Sequence, residues 1–449
     1  MDKDFSVENV AQVAQAFSDT LKRPARVVIG YDYRKNSEDF AGLFARILAS
    51  NNVEVLLSAS ACPTPAVSFT IVSEHYDAGI VITASHNPPG YNGVKIKNEY
   101  GGSAEKSVTD AVEQWIGKNP VLKKSGPLAN LNVRNLNDNY LEFLKKYVRL
   151  DAIRQSPWKI LVDSMHGVGA KHIEQILSGG RVQVTSIRSE RNIQFGGFNP
   201  EPIPQNLVPS IDLMKKSGFD LAVVTDGDAD RVGAIRPGGE FVSPGILLSL
   251  ILLHFVEDLK KTGSVVTTVS NTALIYKVAK RLGLKVHETP VGFKYICEIM
   301  RRENVLIGGE ESGGIGFQNY LYERDGLLSG LLLMEMMAMR KKSFDQILTE
   351  VEKEFGKLYY VRKDLDYPNE LKAKLFERLS ASPPLYFEGQ KVMDIKSQDG
   401  VKFILEDASW LLFRLSGTEP ILRIYSEAAS QPSAEALARC GKELAFGLK

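Results

Sequence analysis

The sequence is poor in cysteine, carries no excess of either charge and contains no long apolar run. Its three cysteines, Cys62, Cys297 and Cys440, are scattered and show no C-x-x-C spacing. A small, odd number of cysteines argues against a disulfide framework and a zinc site, and it favours a reducing compartment. The formal net charge of +1 gives no support for a nucleic-acid partner.

Hydrophobic segments long enough to cross a membrane are also missing from the sequence. The longest apolar run, 246–256, is interrupted by Ser249 and His254, and it is shorter than the roughly 20 residues of a spanning helix. Pro244 and Gly245 ahead of it are typical of the start of a core helix. The first residues carry no apolar stretch of the secretory type. The sequence therefore predicts a cytoplasmic protein with no membrane partner.

Length and hydrophobic periodicity predict several domains. A chain of 449 residues is too long for one core. Apolar runs alternate with helical patterns in three similar rounds, which predicts three α/β units with mostly parallel mixed sheets. The predicted strands are 26–30, 53–57 and 78–82, then 159–163, 182–184 and 220–224, and then 264–269, 284–286 and 304–307.

The last part of the chain has a different pattern. Closely spaced strands with a hairpin signal at Asp399-Gly400, followed by a helix near 433–446, predict a C-terminal α+β domain with an antiparallel sheet. Its predicted strands are 391–395, 401–405, 410–414 and 421–425. We expect domains at 1–153, 154–260, 261–366 and 367–449, with linkers near 151–157, 260–263 and 364–369.

A rigid loop follows the third predicted strand of the first unit. Residues 83–95 read TASHNPPGYNGVK, and the proline and glycine residues prevent the strand from continuing. Ser85 is thus expected at the carboxyl end of a strand, where open α/β sheets bind their ligands. His86 and Lys95 lie close to it in sequence. An ordinary turn is the alternative for this segment alone.

The corresponding loop of the second unit is acidic. Asp226, Asp228 and Asp230 alternate after a buried strand, so their carboxylates can converge on a hard cation. An EF-hand does not fit, because Arg231 and Pro237 stand where that motif needs glycine and glutamate. A solvated acidic loop is the other alternative, although three carboxylates after a buried strand repel one another without a cation. Mg²⁺ suits this set, because it leaves positions open for a phosphoryl oxygen.

Two further loops offer polar groups. Glu310 and Ser312, in the glycine-rich segment 308–314, provide an acceptor and a donor suited to sugar hydroxyls, although a flexible polar turn is equally compatible. Arg414, followed by clustered hydroxyls and a glycine, predicts a phosphate cradle to which Arg423 could contribute. A hairpin with a surface arginine is the alternative there.

Taken together, the four motifs resemble the α-D-phosphohexomutase superfamily, the phosphoglucomutases and phosphomannomutases, in order and spacing from about residue 7 to the C-terminus. The resemblance implies four domains around one deep cleft. It implies that Ser85 is the phosphorylated serine, and that its phosphate completes an Mg²⁺ site formed by Asp226, Asp228 and Asp230. The other implied site residues are Glu310 and Ser312 for the sugar hydroxyls, Arg414, Ser416, Gly417 and Thr418 for the remote phosphate, and the basic positions Arg34, His86, Lys95, Arg231 and Lys294.

The resemblance also implies a reaction. Phosphorylated Ser85 would interconvert hexose 1-phosphate and hexose 6-phosphate through a hexose 1,6-bisphosphate, which also serves as primer. Lys95 or His86 would be the general base. Glu311 and Gly314 stand where the common phosphomannomutase motif has methionine and histidine, which favours glucose over mannose. We expect a monomer or a homodimer.

One departure concerns the N-terminus. The family normally opens with a strand and a Gly-(Thr/Ser)-x-Gly-x-Arg-Gly loop before the first helix, and this sequence shows neither. We therefore expect the first sheet to lack a strand and the cleft to lack an arginine. Two alternatives remain open: a non-catalytic phosphosugar-binding or regulatory homologue, and a phosphatase with an aspartate nucleophile in the Asp226 loop.

Overall fold

The computed structural model describes residues 5–415 and 420–447. Three α/β domains with mixed sheets precede a C-terminal domain with an antiparallel sheet, as predicted. The first domain contains α1 Val7–Thr20, β1 Arg26–Tyr31, α2 Ser37–Ser50, β2 Glu54–Ser58, α3 Thr64–Glu74, β3 Ala78–Ile82, β4 Val94–Asn98, α4 Lys106–Trp115, β5 Leu131–Arg134 and α5 Asn137–Tyr147. Its strand order is β4-β3-β1-β2-β5, and only the β3–β4 pair is antiparallel.

The second domain repeats this arrangement. It contains α6 Leu150–Gln155, β6 Lys159–Asp163, α7 His172–Leu177, β7 Gln183–Ile187, 3-10 turns at Phe195–Gly197 and Pro204–Asn206, α8 Val208–Lys216, β8 Leu221–Thr225, β9 Val232–Ile235 and β10 Phe241–Val242. The strand order is β10-β9-β8-β6-β7. Helix α6 overlaps the predicted linker 151–157 over residues 151–155, so most of that segment is helical.

The third domain begins with the predicted core helix. Its elements are α9 Pro244–Leu253, a π-helical turn at His254–Asp258, β11 Ser264–Thr268, α10 Leu274–Arg281, β12 Val286–Thr289, α11 Phe293–Met300, β13 Val305–Gly309, β14 Ile315–Phe317, α12 Gly326–Arg340 and α13 Phe344–Phe355. The strand order is β12-β11-β13-β14. Helices α9 and α12 are almost wholly buried and pack against the second and third sheets, so one hydrophobic core joins these domains. Within the described residues, no helix is both long and apolar enough to cross a bilayer.

The sheet of the C-terminal domain includes a strand that precedes residue 367. The domain contains β15 Tyr359–Asp366, α14 Asn369–Ala381, β16 Tyr386–Phe387, β17 Gln390–Lys396, β18 Val401–Leu405, β19 Trp410–Leu415, β20 Ile421–Ala428 and α15 Gln431–Ala445. The strand order is β15-β20-β19-β18-β17-β16. Because β15 pairs with β20 along its whole length, the predicted linker at 364–369 is wrong over residues 364–366. The mixed polar side chains of β15 resemble a linker because much of this strand is solvent-accessible.

A repeated topology places the candidate site. In each of the first three sheets the third strand lies beside the first, and the chain then turns back as an antiparallel strand. The connecting loops start at the carboxyl ends of β3, β8 and β13. These are the loops that carry Ser85, the three aspartates and Glu310. Whether the first sheet lacks an N-terminal strand stays a prediction.

Candidate functional site

Ser85 lies against the acidic loop of the second domain. Its Oγ donates a hydrogen bond to Oδ2 of Asp226 at 2.8 Å. Ser85 is almost buried and has a φ of 52°, a left-handed conformation that is unusual for a residue other than glycine. Its N–H donates to Oγ1 of Thr83 at 2.8 Å, which helps to hold this conformation. The loop thus presents one hydroxyl to the carboxylates in a fixed orientation.

Arg34 supports the serine loop from within the protein. Its side chain is fully buried and forms an ion pair with Asp32 at 3.2 Å. The guanidinium donates to four backbone carbonyls of the loop, those of Ser85 at 2.6 Å, Asn87 at 2.6 Å, Pro88 at 2.8 Å and Tyr91 at 3.1 Å. The resemblance implies that Arg34 lies near the reacting centre, and in the structure it lies behind the loop, where it binds backbone oxygens.

The three aspartates form one buried cluster. Asp226, Asp228 and Asp230 are fully buried, and their nearest carboxylate oxygens lie within 4.8 Å of one another. Oδ2 of Asp228 accepts hydrogen bonds from Oγ1 of Thr64 and Nζ of Lys95, both at 2.5 Å. Oδ1 of Asp228 and Oδ1 of Asp230 are buried without a hydrogen-bond partner among the described residues. Buried carboxylate oxygens without partners fit a hard divalent cation such as Mg²⁺.

The cluster has an uneven electrostatic environment. Burial, followed by the charges of Asp228 and Asp230, raises the pKa of Asp226 well above its usual value. Burial also opposes ionisation of Asp228, but Lys95 outweighs it and lowers the pKa of that carboxyl. Burial would lower the pKa of Lys95, yet Asp228 and Asp230 raise it, so this side chain is an ammonium. The aspartates thus bind the cationic side chain of Lys95.

His86 lies close to Arg231, and Arg231 contacts the aspartate cluster. Arg231, then burial and then Lys95 lower the pKa of His86 to about 2, so the imidazole is neutral. The backbone N–H of Arg231 donates to Oδ1 of Asp226 at 3.1 Å, and its Nε lies 3.9 Å from Oδ1 of Asp230. A neutral base and two cations therefore surround the position next to Ser85.

The glycine-rich loop of the third domain adjoins the acidic loop. The N–H of Val232 donates to the carbonyl of Gly313 at 3.0 Å, and Arg231 and Gly314 form an antiparallel bridge. Glu310 is buried, and burial raises its pKa although Arg324 opposes this. Ser312 is half-buried on the same loop. The structure thus places Glu310 beside the acidic loop.

The predicted phosphate cradle is described only in part. Nε of Arg414 donates to Oδ2 of Asp399 at 2.8 Å, and the same oxygen accepts the N–H of Val291 from the third domain at 2.8 Å. Nε of Arg423 lies 3.5 Å from Oδ2 of Asp364. Lys294 is on the first turn of α11, with Nζ 4.9 Å from the ring centre of Tyr295. The predicted residues Ser416, Gly417 and Thr418 lie outside the described residues.

Several residues of this region are not indicated by the sequence. Thr64, at the start of α3, binds Asp228, and the Pro-Thr-Pro segment there was the only available signal. Arg324 donates to Oδ2 of Asp230 at 2.6 Å and to Oε2 of Glu310 at 3.3 Å. No pattern in the sequence singles it out, because its partners lie on other loops.

Comparisons with known proteins find matches to all four domains of the chain. Four domain profiles of phosphoglucomutase/phosphomannomutase match the chain: alpha/beta/alpha domain I at residues 1–121, domain II at 138–239, domain III at 244–355 and the C-terminal domain at 348–440.

Individual relatives cover nearly the full chain. The phosphoglucomutase/phosphomannomutase of Thermococcus kodakarensis is 31% identical, over 98% of this chain and 95% of its own length. A probable phosphoglucosamine mutase of Pyrococcus abyssi is 32% identical, over 95% of this chain and 91% of its own. The crystal structure of a Thermus thermophilus protein assigned as a phosphomannomutase superposes with a TM-score of 0.88 at 33% identity, covering 99% of this chain and 96% of that one. The chain therefore belongs to the phosphoglucomutase/phosphomannomutase family of the α-D-phosphohexomutase superfamily, and it is an intramolecular phosphotransferase.

Proposed function

We propose that this enzyme interconverts hexose 1-phosphate and hexose 6-phosphate through phosphorylated Ser85. The observation that carries the proposal is the hydrogen bond of 2.8 Å between Oγ of Ser85 and Oδ2 of Asp226. It joins a hydroxyl on a strained loop to a buried carboxylate cluster on another domain. This contact supports a role of Ser85 as phosphate acceptor, because its hydroxyl lies beside carboxylates that can bind a cation.

In the proposed reaction the phosphoryl group of Ser85 passes to the free hydroxyl of a hexose monophosphate. The bond from phosphorus to Oγ breaks, the bond to the sugar oxygen forms, and the hydroxyl proton passes to a base. The resulting bisphosphate turns over in the cleft, and its other phosphate returns to Ser85. Of the two candidate bases, His86 is in the basic form, whereas Lys95 is held as an ammonium by Asp228 and Asp230.

Charge neutralisation carries most of the rate in such a transfer. Asp226, Asp228 and Asp230 would hold Mg²⁺, which when bound neutralises charge on the phosphoryl oxygens. Lys95 and Arg231 add positive charge from the protein side. Arg34 keeps the serine loop in position through its four carbonyl contacts.

For the substrate we propose glucose phosphates ahead of mannose phosphates, because Glu311 and Gly314 depart from the common phosphomannomutase motif. Glucosamine phosphate is the second candidate, because the Pyrococcus relative is named as a probable phosphoglucosamine mutase. We expect kcat/KM to be highest for glucose 1-phosphate when glucose, mannose and glucosamine 1-phosphates are compared. A higher value for mannose 1-phosphate would overturn the preference.

Peptide mapping by mass spectrometry after incubation with glucose 1,6-bisphosphate and Mg²⁺ tests the nucleophile. We expect one phosphate, located on Ser85, and a loss of transfer of at least roughly a thousandfold in Ser85→Ala. Ser249→Ala, a buried helical serine far along the chain, is the matched control and should keep its activity. An alkali-labile phosphate on an aspartate would instead support the phosphatase alternative. Tight binding without any transfer would support the non-catalytic alternative.

A further inference from the structure

Arg324 joins the acidic loop to the glycine-rich loop. Its Nη2 donates to Oδ2 of Asp230 at 2.6 Å, and its Nη1 donates to Oε2 of Glu310 at 3.3 Å. The side chain is 12% exposed, and its partners are fully or almost fully buried. Buried charge-assisted hydrogen bonds of this kind are the strong ones, and they fix the orientation of both carboxylates.

The effect on Asp230 is asymmetric. Its Oδ2 is occupied twice, by Arg324 and by Nζ of Lys95 at 3.0 Å. Its Oδ1 is buried without a hydrogen-bond partner in the described part of the chain. Arg324 therefore turns one oxygen of this carboxylate towards the protein and leaves the other for an external ligand.

Gly314 makes room for Arg324. A Cβ atom added to Gly314 would lie 2.2 Å from Cδ of Arg324 and 3.1 Å from Oε2 of Glu310. The φ of Gly314 is not in the left-handed region, so its backbone would accept an alanine. The absence of a side chain at this position is therefore explained by the arginine that packs over it.

The residues around Arg324 hold it in place. Glu323, its neighbour in sequence, lies 3.4 Å from Nε of Arg324 and forms a fully buried ion pair with Lys97. The guanidinium carbon lies 5.5 Å from the ring centre of Phe293, at the start of α11. Glu323 and Phe293 thus hold Arg324 between the two loops. Its guanidinium contacts a carboxylate on each of them and can shift from one towards the other.

We propose that Arg324 is a positioning residue that couples cation binding at Asp230 to sugar-phosphate binding at Glu310. The proposal rests on the proposed function of these two loops. A cation at Asp230 competes with the guanidinium for negative charge, so Arg324 shifts towards Glu310 when the cation binds. Binding at one loop then changes the affinity of the other, and the coupling must be equal in both directions.

Calorimetry on the full-length chain tests the coupling with Mg²⁺ and glucose 6-phosphate as probes. In the unmodified chain, we expect saturating Mg²⁺ to change the Kd of glucose 6-phosphate by about 5-fold or more. In Arg324→Met, which removes the competing guanidinium, we expect a tighter affinity for Mg²⁺ and a change near 1-fold in the Kd of glucose 6-phosphate, with partial recovery of the coupling in Arg324→Lys. No coupling in the unmodified chain, or full coupling in Arg324→Met, would overturn the proposal.

Arg236→Met is the matched control. Arg236 is 11% exposed and pairs with Asp345 and Glu352, away from both loops. Its replacement should lower the Tm while leaving both affinities and their coupling unchanged. If Arg236→Met abolished the coupling as Arg324→Met does, a general loss of packing would explain both results, and the proposal would fail.

A double-mutant cycle with Gly314 provides a second test. In the unmodified chain Gly314→Ala must displace Arg324, so its effect on the Kd of Mg²⁺ should approach that of Arg324→Ala. In the Arg324→Ala background the same substitution meets no Cδ and should have little effect. Additive effects in this cycle would contradict the proposal.

These measurements also separate the two proposals. The calorimetry and the double-mutant cycle measure only binding, so neither depends on turnover. Coupling that is lost in Arg324→Met, in a chain that never carries phosphate on Ser85, would support the role of Arg324 and refute the proposed reaction. Phosphorylated Ser85 with coupling that survives in Arg324→Met would do the reverse.

Discussion

The loops of the first three domains and the arginines of the C-terminal domain are held in different ways. Ser85 and the three aspartates are 0–6% exposed and are joined by short hydrogen bonds between domains. Arg414 and Arg423 have side-chain exposures of 13% and 22%, and each faces a carboxylate. Groups of the first kind are preorganised before substrate arrives. Groups of the second kind would have to leave their carboxylates in order to bind a phosphate.

The largest expected effect comes from removing the support of the serine loop. Arg34→Met leaves Asp32 without its counter-ion and four carbonyls without their donor. We expect a loss in unfolding free energy of about 3–5 kcal/mol, together with loss of transfer. Urea unfolding and a rate assay would measure these. Arg191→Met is the control, because Arg191 is exposed and also donates to a backbone carbonyl; equal destabilisation by both would contradict this account.

Removing one carboxylate of the cluster should act mainly on the cation. We expect Asp228→Asn to raise the Kd of Mg²⁺ by more than the roughly 10–100-fold that loss of an outer partner costs. Titration calorimetry would measure this, and chelation of the metal should abolish transfer in the unmodified enzyme. The exposed Asp212→Asn is the control. Unchanged Mg²⁺ affinity in Asp228→Asn would remove Asp228 from the cation site.

A smaller effect, on the KM for the substrate, is expected for Arg414→Met. A charge-assisted hydrogen bond to phosphate contributes about 1.5–3 kcal/mol, so KM for the hexose phosphate should rise about tenfold or more. Phosphorylation of Ser85 by bisphosphate should still be detected. Steady-state kinetics would measure the change, with the exposed Arg439→Met on α15 as control. A fall in kcat at constant KM would place Arg414 with the reacting groups.

The smallest effect is expected in the core, away from both regions. His254 lies between Asp258 at 2.8 Å and Glu335 at 3.0 Å. Burial lowers the pKa of His254, but the two carboxylates outweigh it and raise the pKa. The resulting stabilisation is therefore present below the unfolded-state pKa, and it is lost as pH rises through the higher folded-state pKa.

We expect the Tm of the unmodified chain to fall with rising pH more steeply than that of His254→Gln, with kcat and KM unaffected by the substitution. Calorimetric scans across a pH series would measure this. His75→Asn is the control, because His75 is exposed with a φ of 56°, which asparagine tolerates. Parallel curves for His254→Gln and the unmodified chain would show that the histidine does not titrate in this range.

The convergence of Ser85 with the aspartates could be predicted from sequence, and Arg324 could not. Strand order places each loop at the carboxyl end of its own sheet, and the resemblance to the phosphohexomutases implies that the loops of different domains meet in one cleft. Arg324 and Asp230 are 94 positions apart, and their contact follows no periodicity. A side-chain pair of this kind depends on how two domains pack, which a single sequence does not record.

Arg34 and β15 show two other limits. The resemblance implies that Arg34 lies near the Ser85 loop, but four backbone carbonyls become its partners only after the loop has folded around it. Strand β15 mixes tyrosine, valine and charged residues because one side packs on the domain and much of the rest faces solvent. Its pairing with β20 depends on a strand far along the chain.

Oδ2 of Asp399 accepts hydrogen bonds from both Arg414 and the N–H of Val291. If Arg414 leaves this carboxylate for a phosphate, the bond to Val291 can persist, and the C-terminal domain keeps its attachment to its neighbour. At this oxygen atom, the bond to Arg414 can therefore break while the bond that joins the two domains stays intact. If Arg414 does bind a phosphate, that anion would be able to leave while the contact between the third and C-terminal domains at Asp399 stays in place.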